Sequence, residues 1–432
     1  MKNFTYILFF TSMLCVGCTK QLPEVYIDGE VGNGSNGVGS AGIKEDSLAI
    51  VQLYKELGGD KWYRRENWNS DKPLDMWEGI SVENIDGRKR IVSLNLSRNN
   101  LQGSLSPIIG KLLEIKHIDL SYNEGLTGNL PQEIYGLVNL TTLRLSYCCF
   151  TGTIPAEINN LSQLDTLDLR NTSAVKMGDN WVTKMLTFSG PLPSEIGDLQ
   201  KLRYLSLGHN LFSGKIPTSI GKLTMLEYLD IECCMFAGEI PKTISGLKNL
   251  RFLYGGQNLF SGSIPDDLMT LQKLNELAFE QNKLEGEIPA TIGTLKELRY
   301  LDLSKNEISG QLPQSLVNLE ALEGIYLHNN QIQGRIPDGF GEDKQPHLMR
   351  CDLSNNKLVG YLPKIVNRGW SKDMKSYPGH QYTEFVLKGN RLAGNIPSEY
   401  LQNSYLLSLI VPQQVGYSFH NYDLKDNFPS SK

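Results

Sequence analysis

Leucines recur along this chain on a fixed beat. From Leu298 the sequence reads LRYLDLSKNEISGQLPQSLVNLEA, and at Leu322 the same arrangement starts again. Within the unit, Tyr300-Leu301-Asp302-Leu303-Ser304 predicts a half-buried strand. Leu301 and Leu303 point inward, and Tyr300, Asp302 and Ser304 point outward. Asn306 ends the strand. Its amide can donate to and accept from backbone groups that the turn leaves unpaired. The second half reads L/I/F-x-G-x-I/L-P. A glycine this regular implies unusual backbone dihedrals or a close approach. Proline fixes φ and lacks a donor, so this edge turns and is not a central strand. A short segment such as Gln314-Ser315-Leu316 then returns the chain.

The position of Asn306 recurs at Asn99, Asn123, Cys148, Thr172, Asn210, Cys234, Asn258, Asn282, Asn306, Asn330, Asn356 and Asn390. We number the units 1 to 12 by these positions. Eight of the eleven spacings are 24 or 25 residues, so the units form one array over residues 92–401. No unit can bury its leucines alone, and stacking them makes a continuous core.

The unit LxxLxLxxNxLxGxIPxxIGxL resembles the plant-type leucine-rich-repeat subfamily, found in plant receptor ectodomains and in bacterial surface proteins. The resemblance covers about 310 of the 432 residues. It implies an α/β-type leucine-rich-repeat solenoid of twelve repeats, with a parallel sheet on the concave face. The convex side would be short 3-10 or irregular segments, and a small helical cap would precede the repeats. The family's role is mostly non-enzymatic binding.

The flanks divide further. Residues 1–18 read as a signal peptide, with Lys2 ahead of an apolar run from Phe4 to Val16. The ending Leu14-Cys15-Val16-Gly17-Cys18 resembles a bacterial lipobox, which makes Cys18 the expected lipidation site, with a plain secreted chain as the alternative. Cys15 departs from the usual leucine. Residues 19–44 read as a flexible Gly/Ser/Asn linker. Residues 45–91 read as the N-terminal cap, with Asp46 capping a helix through Leu48, Val51, Tyr54 and Leu57. The string GGDKWYRRENWNSDKPLDMWEGI is similar to the cap of plant-type repeats, where two cysteines flank the last tryptophan. Here Asp75 and Val82 stand at those places, so packing must replace the disulfide. Residues 402–432 read as a C-terminal cap, with a short strand at Leu406–Val411.

Charge and motifs narrow the function. A net charge of −5 disfavours nucleic acid. The chain has no H-E-x-x-H, no G-x-S-x-G and no phosphate loop. Asp119 and Asp168 flank Arg144, which reads as a charge ladder and not as a hydrolytic carboxylate pair. Cys148, Cys149, Cys233, Cys234 and Cys351 read as free thiols. With no C-x-x-C and no neighbouring histidine set, neither a metal nor a cofactor is expected.

The outward strand positions turn aromatic and acidic between repeats 5 and 10: Tyr204, Tyr228, Asp230, Phe252, Tyr254, Glu276, Tyr300 and Tyr326. Aromatic rings offer large contact area at low entropic cost. Insertions after Thr172 and Val366 bring in Trp181 and Trp370, the only tryptophans outside the cap. Insertions in such arrays map to loops on the binding face. The expectation is a non-enzymatic module that recognises a protein or peptide, displayed as a lipid-anchored protein of a bacterial envelope. A glycan is the alternative ligand, and a hydrolase is a remote third reading.

Overall fold

The computed structural model describes residues 42–171, 174–177, 180–183, 187–342, 344–362, 384–396, 401 and 404–420. Cys18, Thr172, Trp370, most of the linker and the end of the C-terminal cap lie outside the described residues.

A 13-stranded sheet runs the length of the array. Its first strand, Ile80–Ile85, pairs antiparallel with Arg88–Asn95. The remaining strands are parallel, one per repeat, from Arg88–Asn95 to Glu384–Val386. Pairing is in strict register: Tyr300 lies beside Gly324, Leu301 beside Ile325 and Asp302 beside Tyr326. The alternation holds along the strand, where Leu301 and Leu303 are buried and Tyr300 and Asp302 are half-buried, but Ser304, expected outward, is buried with its hydroxyl on Asp302 at 2.7 Å. On the convex side most repeats form a short 3-10 turn after the proline. In Gln314–Asn318, for example, Pro313 sits at φ −66 and the Leu319 amide closes back on the Leu316 carbonyl.

The L-x-G segments were expected only to turn. They also pair, giving further short parallel ladders such as Leu211–Gly214 beside Met235–Gly238. Each glycine sits at positive φ, for example Gly262 at 73°. At Gly262 a Cβ would meet the Glu239 side chain at 2.9 Å, so the close approach is real as well. Behind these ladders Phe150, Phe188, Phe212, Phe236 and Phe260 form a buried row with centroids 6.1 to 6.4 Å apart.

The asparagines bind the coils to one another. Asn306 Nδ2 donates to the carbonyls of Phe279, Leu303 and Ser304 at 2.9, 3.1 and 3.1 Å. Its Oδ1 accepts from the Leu284 amide of the preceding coil at 3.0 Å. Asn123, Asn210, Asn258, Asn282, Asn330 and Asn356 repeat this pattern. Cysteine does it less well. Cys148 Sγ donates to Leu120 at 3.2 Å and Ser146 at 3.8 Å, and Cys234 Sγ to Leu207 and Glu232 at 3.5 Å.

Both ends differ from the sequence reading. The N-terminal helix spans Gly42–Glu56, starting inside the expected linker. Asp46 does not cap it. Asp46 is buried and accepts from Arg90 at 2.9 and 3.0 Å and from the Ile91 amide at 2.9 Å, pinning the helix to the first parallel strand. The buried stripe is Ala49, Ile50, Leu53, Tyr54 and Leu57, while Leu48 is exposed. Tyr54, Trp62, Trp68 and Trp77 pack as one aromatic cluster, with centroids 4.9 to 5.8 Å apart. Asp75, at one of the family's cysteine places, pairs with Lys89 at 2.8 Å.

At the other end the expected strand is the helix Ser404–Ile410. Leu407 and Ile410 are buried one helical turn apart, and Ser408 is exposed. A strand would have left another edge open. The helix instead offers its Leu409 carbonyl to the amides of Leu387 and Lys388, at 2.7 and 3.0 Å. Gln413 then does the work of a thirteenth asparagine: Nε2 donates to Leu387 and Ile410, and Oε1 accepts from Leu392.

Two substitutions test this ladder. Asn258→Ala should cost about 2–4 kcal/mol, the scale for several buried hydrogen bonds lost together. It should also speed hydrogen exchange at the Phe236 amide, which bonds Asn258 Oδ1 at 3.0 Å. Cys148→Asn should stabilise by about 1 kcal/mol in urea titrations, because a full amide replaces a weak thiol donor.

Candidate functional site

The outward residues fall into two columns on the sheet. One runs Tyr204, Tyr228, Phe252, Glu276, Tyr300, Gly324. The other runs Ser206, Asp230, Tyr254, Ala278, Asp302, Tyr326 across the same strands. The structure therefore brings together all eight candidates of repeats 5 to 10, in register at strand spacing.

It does not leave all eight open. Asp230 is 0% exposed, Tyr228 5% and Tyr254 6%. These three are corrected from ligand contacts to supports of the face. Tyr204 stacks on Tyr228 at 4.4 Å and 7°, and Tyr254 meets Tyr228 edge-on at 5.6 Å. The half-buried residues Tyr204, Phe252, Glu276, Tyr300 and Tyr326 keep accessible surface.

A charge network covers Asp230. Arg170, from repeat 4, crosses the fifth coil to pair with the Asp230 carboxylate and approaches Glu232 at 3.8 Å. The Ser206 hydroxyl donates to Asp230 at 2.9 Å. Gly208 makes the crossing possible, since a Cβ there would lie 2.7 Å from Asp230 Oδ1. Glu276 accepts from the Tyr254 hydroxyl at 2.6 Å, and Glu323 accepts from Tyr300 at 2.8 Å and from Arg299. Burial and these carboxylates raise the Tyr254 phenol and push Tyr300 up to about 12, so both stay protonated donors. Burial also pushes Asp168 up to about 6, against the Ser146 hydroxyl, the Arg170 amide and the charge of Arg144.

Trp181 sits on a hairpin, Ala174–Met177 with Asn180–Thr183, where its backbone pairs with Lys176. The insertion leaves the sheet unbroken, because Thr166–Asp168 still pairs with Tyr204–Ser206.

The sequence reading missed a third column. The residue before ten of the twelve asparagine positions takes φ near +55°: Arg98, Tyr122, Tyr147, His209, Cys233, Gln257, Gln281, Lys305, Asn329 and Asn355. Sharing one conformation in adjacent coils, these side chains stack. Arg98 lies 3.7 Å over the Tyr122 ring, which stacks on Tyr147 at 4.5 Å. His209 and Cys233 are likewise neighbours, and with Glu232 their donor atoms lie within 4.8 Å of one another. The cysteines thus do have a histidine nearby, contrary to the sequence expectation. Aligning this column would have found it. The five cysteines Cys148, Cys149, Cys233, Cys234 and Cys351 carry no disulfide, as expected.

Comparison with known proteins agrees with this architecture. A leucine-rich-repeat region model matches residues 191–370, and a single leucine-rich-repeat model matches 90–112 and 139–161. The leucine-rich repeat protein FLOR 1 of Arabidopsis thaliana is 29% identical over 147 residues, covering 34% of this chain and 38% of that protein. A chain in the crystal structure of the Arabidopsis receptor kinase HAESA, in complex with the peptide hormone IDA and the co-receptor SERK1, superposes with a TM-score of 0.66. It is 27% identical and covers 82% of this chain and 55% of that one. The structure of PEPR1–AtPEP1 follows, with a TM-score of 0.58, 26% identity and coverage of 87% and 56%. This chain thus spans little more than half of those receptor chains, and its match to FLOR 1 covers under half of that protein. Repeat grammar, sheet and matches together make the fold a leucine-rich-repeat solenoid, with repeats similar to those of plant receptor-like proteins.

Proposed function

We propose that this protein recognises a peptide or protein segment across the sheet face of repeats 5 to 10, without catalysing a reaction. The observation that carries the reading is the strip of half-buried side chains Tyr204, Phe252, Glu276, Tyr300 and Tyr326, held on a pre-built network. A face whose rotamers are already fixed loses little entropy on binding. The acidic groups among the rings favour a basic partner. That HAESA was crystallised with a peptide hormone supports the same mode on the same fold. A glycan is the second reading, favoured by the partly accessible rings of Tyr204 and Phe252, since sugars stack on aromatic ring faces. We also propose display on a bacterial envelope through a lipid on Cys18. Fatty-acid labelling of expressing cells should be lost in Cys18→Ala, and persistence of the label would refute the anchor.

Selection of a random peptide library on the full chain should enrich basic, extended sequences. Phe252→Ala with Tyr300→Ala should weaken their binding by roughly tenfold or more, with an unchanged melting curve. Binding indifferent to that double variant would sink the reading, and variant-sensitive retention of sugars on a glycan array would transfer the site to the second one.

Asp168 adds a pH dependence. Its folded value of about 6 lies above the ordinary 3.8. The neutral acid therefore contributes stability that is fully present below about 4 and is lost as pH rises through about 6. Asp168→Asn should flatten the fall in melting temperature between those limits. At about 1.4 kcal/mol per pH unit the effect is at most about 3 kcal/mol. Wild-type affinity for a basic peptide should rise over the same window, as the carboxylate gains its charge.

A further inference from the structure

We infer that His209, Glu232 and Cys233 form a binding site for a borderline divalent transition metal, with Zn²⁺ the best fit. The inference stands apart from the peptide reading. Three donors from two successive coils, an imidazole nitrogen, a carboxylate oxygen and a thiol sulfur, lie within 4.8 Å of one another and are all half-buried. Zinc takes such N/O/S sets at about 2.0–2.3 Å in tetrahedral geometry, which places ligand atoms roughly 3.5 Å apart. Closing the site needs about an ångström of side-chain rotation, well within rotamer reach for these three residues. The set excludes Mg²⁺ and Ca²⁺, which take oxygen ligands.

Backbone geometry presents these ligands. His209 and Cys233 hold φ of 58° and 52° at the same point of adjacent coils. The His209 amide bonds the Glu232 carbonyl at 2.8 Å and the Cys233 amide bonds Gly256 at 3.0 Å, so both backbones are fixed. Glu232 is also held by Gln257 Nε2 at 3.1 Å. A further carboxylate lies outside that 4.8 Å set. Glu280 leans back over Gly256, where a Cβ would lie 2.3 Å from its carboxyl carbon. Gly256 therefore opens the space that brings a second carboxylate toward the cluster. The charges of Glu232 and Glu280 act on the Cys233 thiol, whose proton is held mainly by burial. This is an acidic pocket, and a divalent cation compensates it. On binding, the metal replaces the Cys233 proton, which is released to solvent. The metal–thiolate pair with neutral His209 and ionised Glu232 then carries no net charge, while Arg170 stays paired with Asp230 beside it. The bound ion would staple repeats 5 and 6 directly beside the Arg170–Asp230 pair.

The experiment uses the full chain purified without a histidine tag and stripped with a chelator. Titration with Co²⁺ should give the near-ultraviolet thiolate-to-cobalt charge-transfer band and strong tetrahedral visible bands, saturating at one metal per chain and displaced by Zn²⁺. Cys233→Ser should abolish the charge-transfer band. His209→Ala and Glu232→Gln should weaken affinity by roughly tenfold or more, the scale set by losing even outer-shell partners. Cys149→Ser, at the other adjacent cysteine pair, should bind as wild type. Zn²⁺ should raise the wild-type melting temperature and leave that of His209→Ala unmoved. Melting curves of the metal-free variants confirm that each is folded. Absence of the band in the wild type, its survival in Cys233→Ser, or equal affinity in His209→Ala with Glu232→Gln would overturn the assignment.

Discussion

The structure depends on a buried amide that serves three backbone carbonyls and one backbone amide at once. Each asparagine of the ladder satisfies its own turn and the turn of the coil before it, so no coil is complete without its successor. Unpaired buried carbonyls are costly, which makes the ladder a condition for the fold and not an ornament on the leucine core. The ends show the same requirement. Asn99 donates to the Arg64 carbonyl and accepts from the Arg64 amide, so an irregular cap segment stands in for a preceding coil. Gln413 stands in for a following one.

With the inward half of each repeat occupied by leucine and asparagine, chemistry is confined to what faces out. Two kinds of outward position behave differently. On the strand, neighbours in register crowd one another, so the largest groups become mutual supports: Tyr228 and Tyr254 are buried by other aromatic rings, and Asp230 by Arg170. At the turn, the left-handed conformation lifts a single side chain clear of the strand, and stacking follows from coil to coil. Tyr122 on Tyr147 and His209 beside Cys233 are two results of one geometry. Glycines at Gly208 and Gly256 leave gaps in the face, and the gaps let Asp230 and Glu280 keep their carboxylates where a Cβ would otherwise sit.

Much of this was legible in the sequence. Leu301 and Leu303 announce a strand, Asn306 its end and Pro313 the turn beyond, because each is a local preference that the global fold shares. The registers of Tyr204, Tyr228 and Phe252 followed from the period alone. What was not legible involved partners far along the chain. Asp46 looks like a helix cap until Arg90 is known to lie beside it. Leu406–Val411 looks like a strand because a short apolar run has no decisive period, and only the open edge of Glu384–Val386 selects a helix. Burial of Asp230 could not be read from its own column, since the residue that covers it belongs to repeat 4. The His209–Cys233 neighbourhood was available from spacing but required aligning the turn and not the strand.

The interruption in repeat 4 has a consequence for how the array tolerates change. The coil is sealed on both sides of it: Leu169 and Asn171 bond forward to Ser206 and Gly208, and Phe188 and Ser189 are held by Asn210 and Gly152. The ends of the inserted segment are therefore fixed by bonds it does not supply. Closing a longer or shorter segment between fixed points adds only a small, slowly growing entropic cost. That stretch is an exchangeable cassette. Its length and sequence can change while the scaffold's folding free energy stays almost untouched.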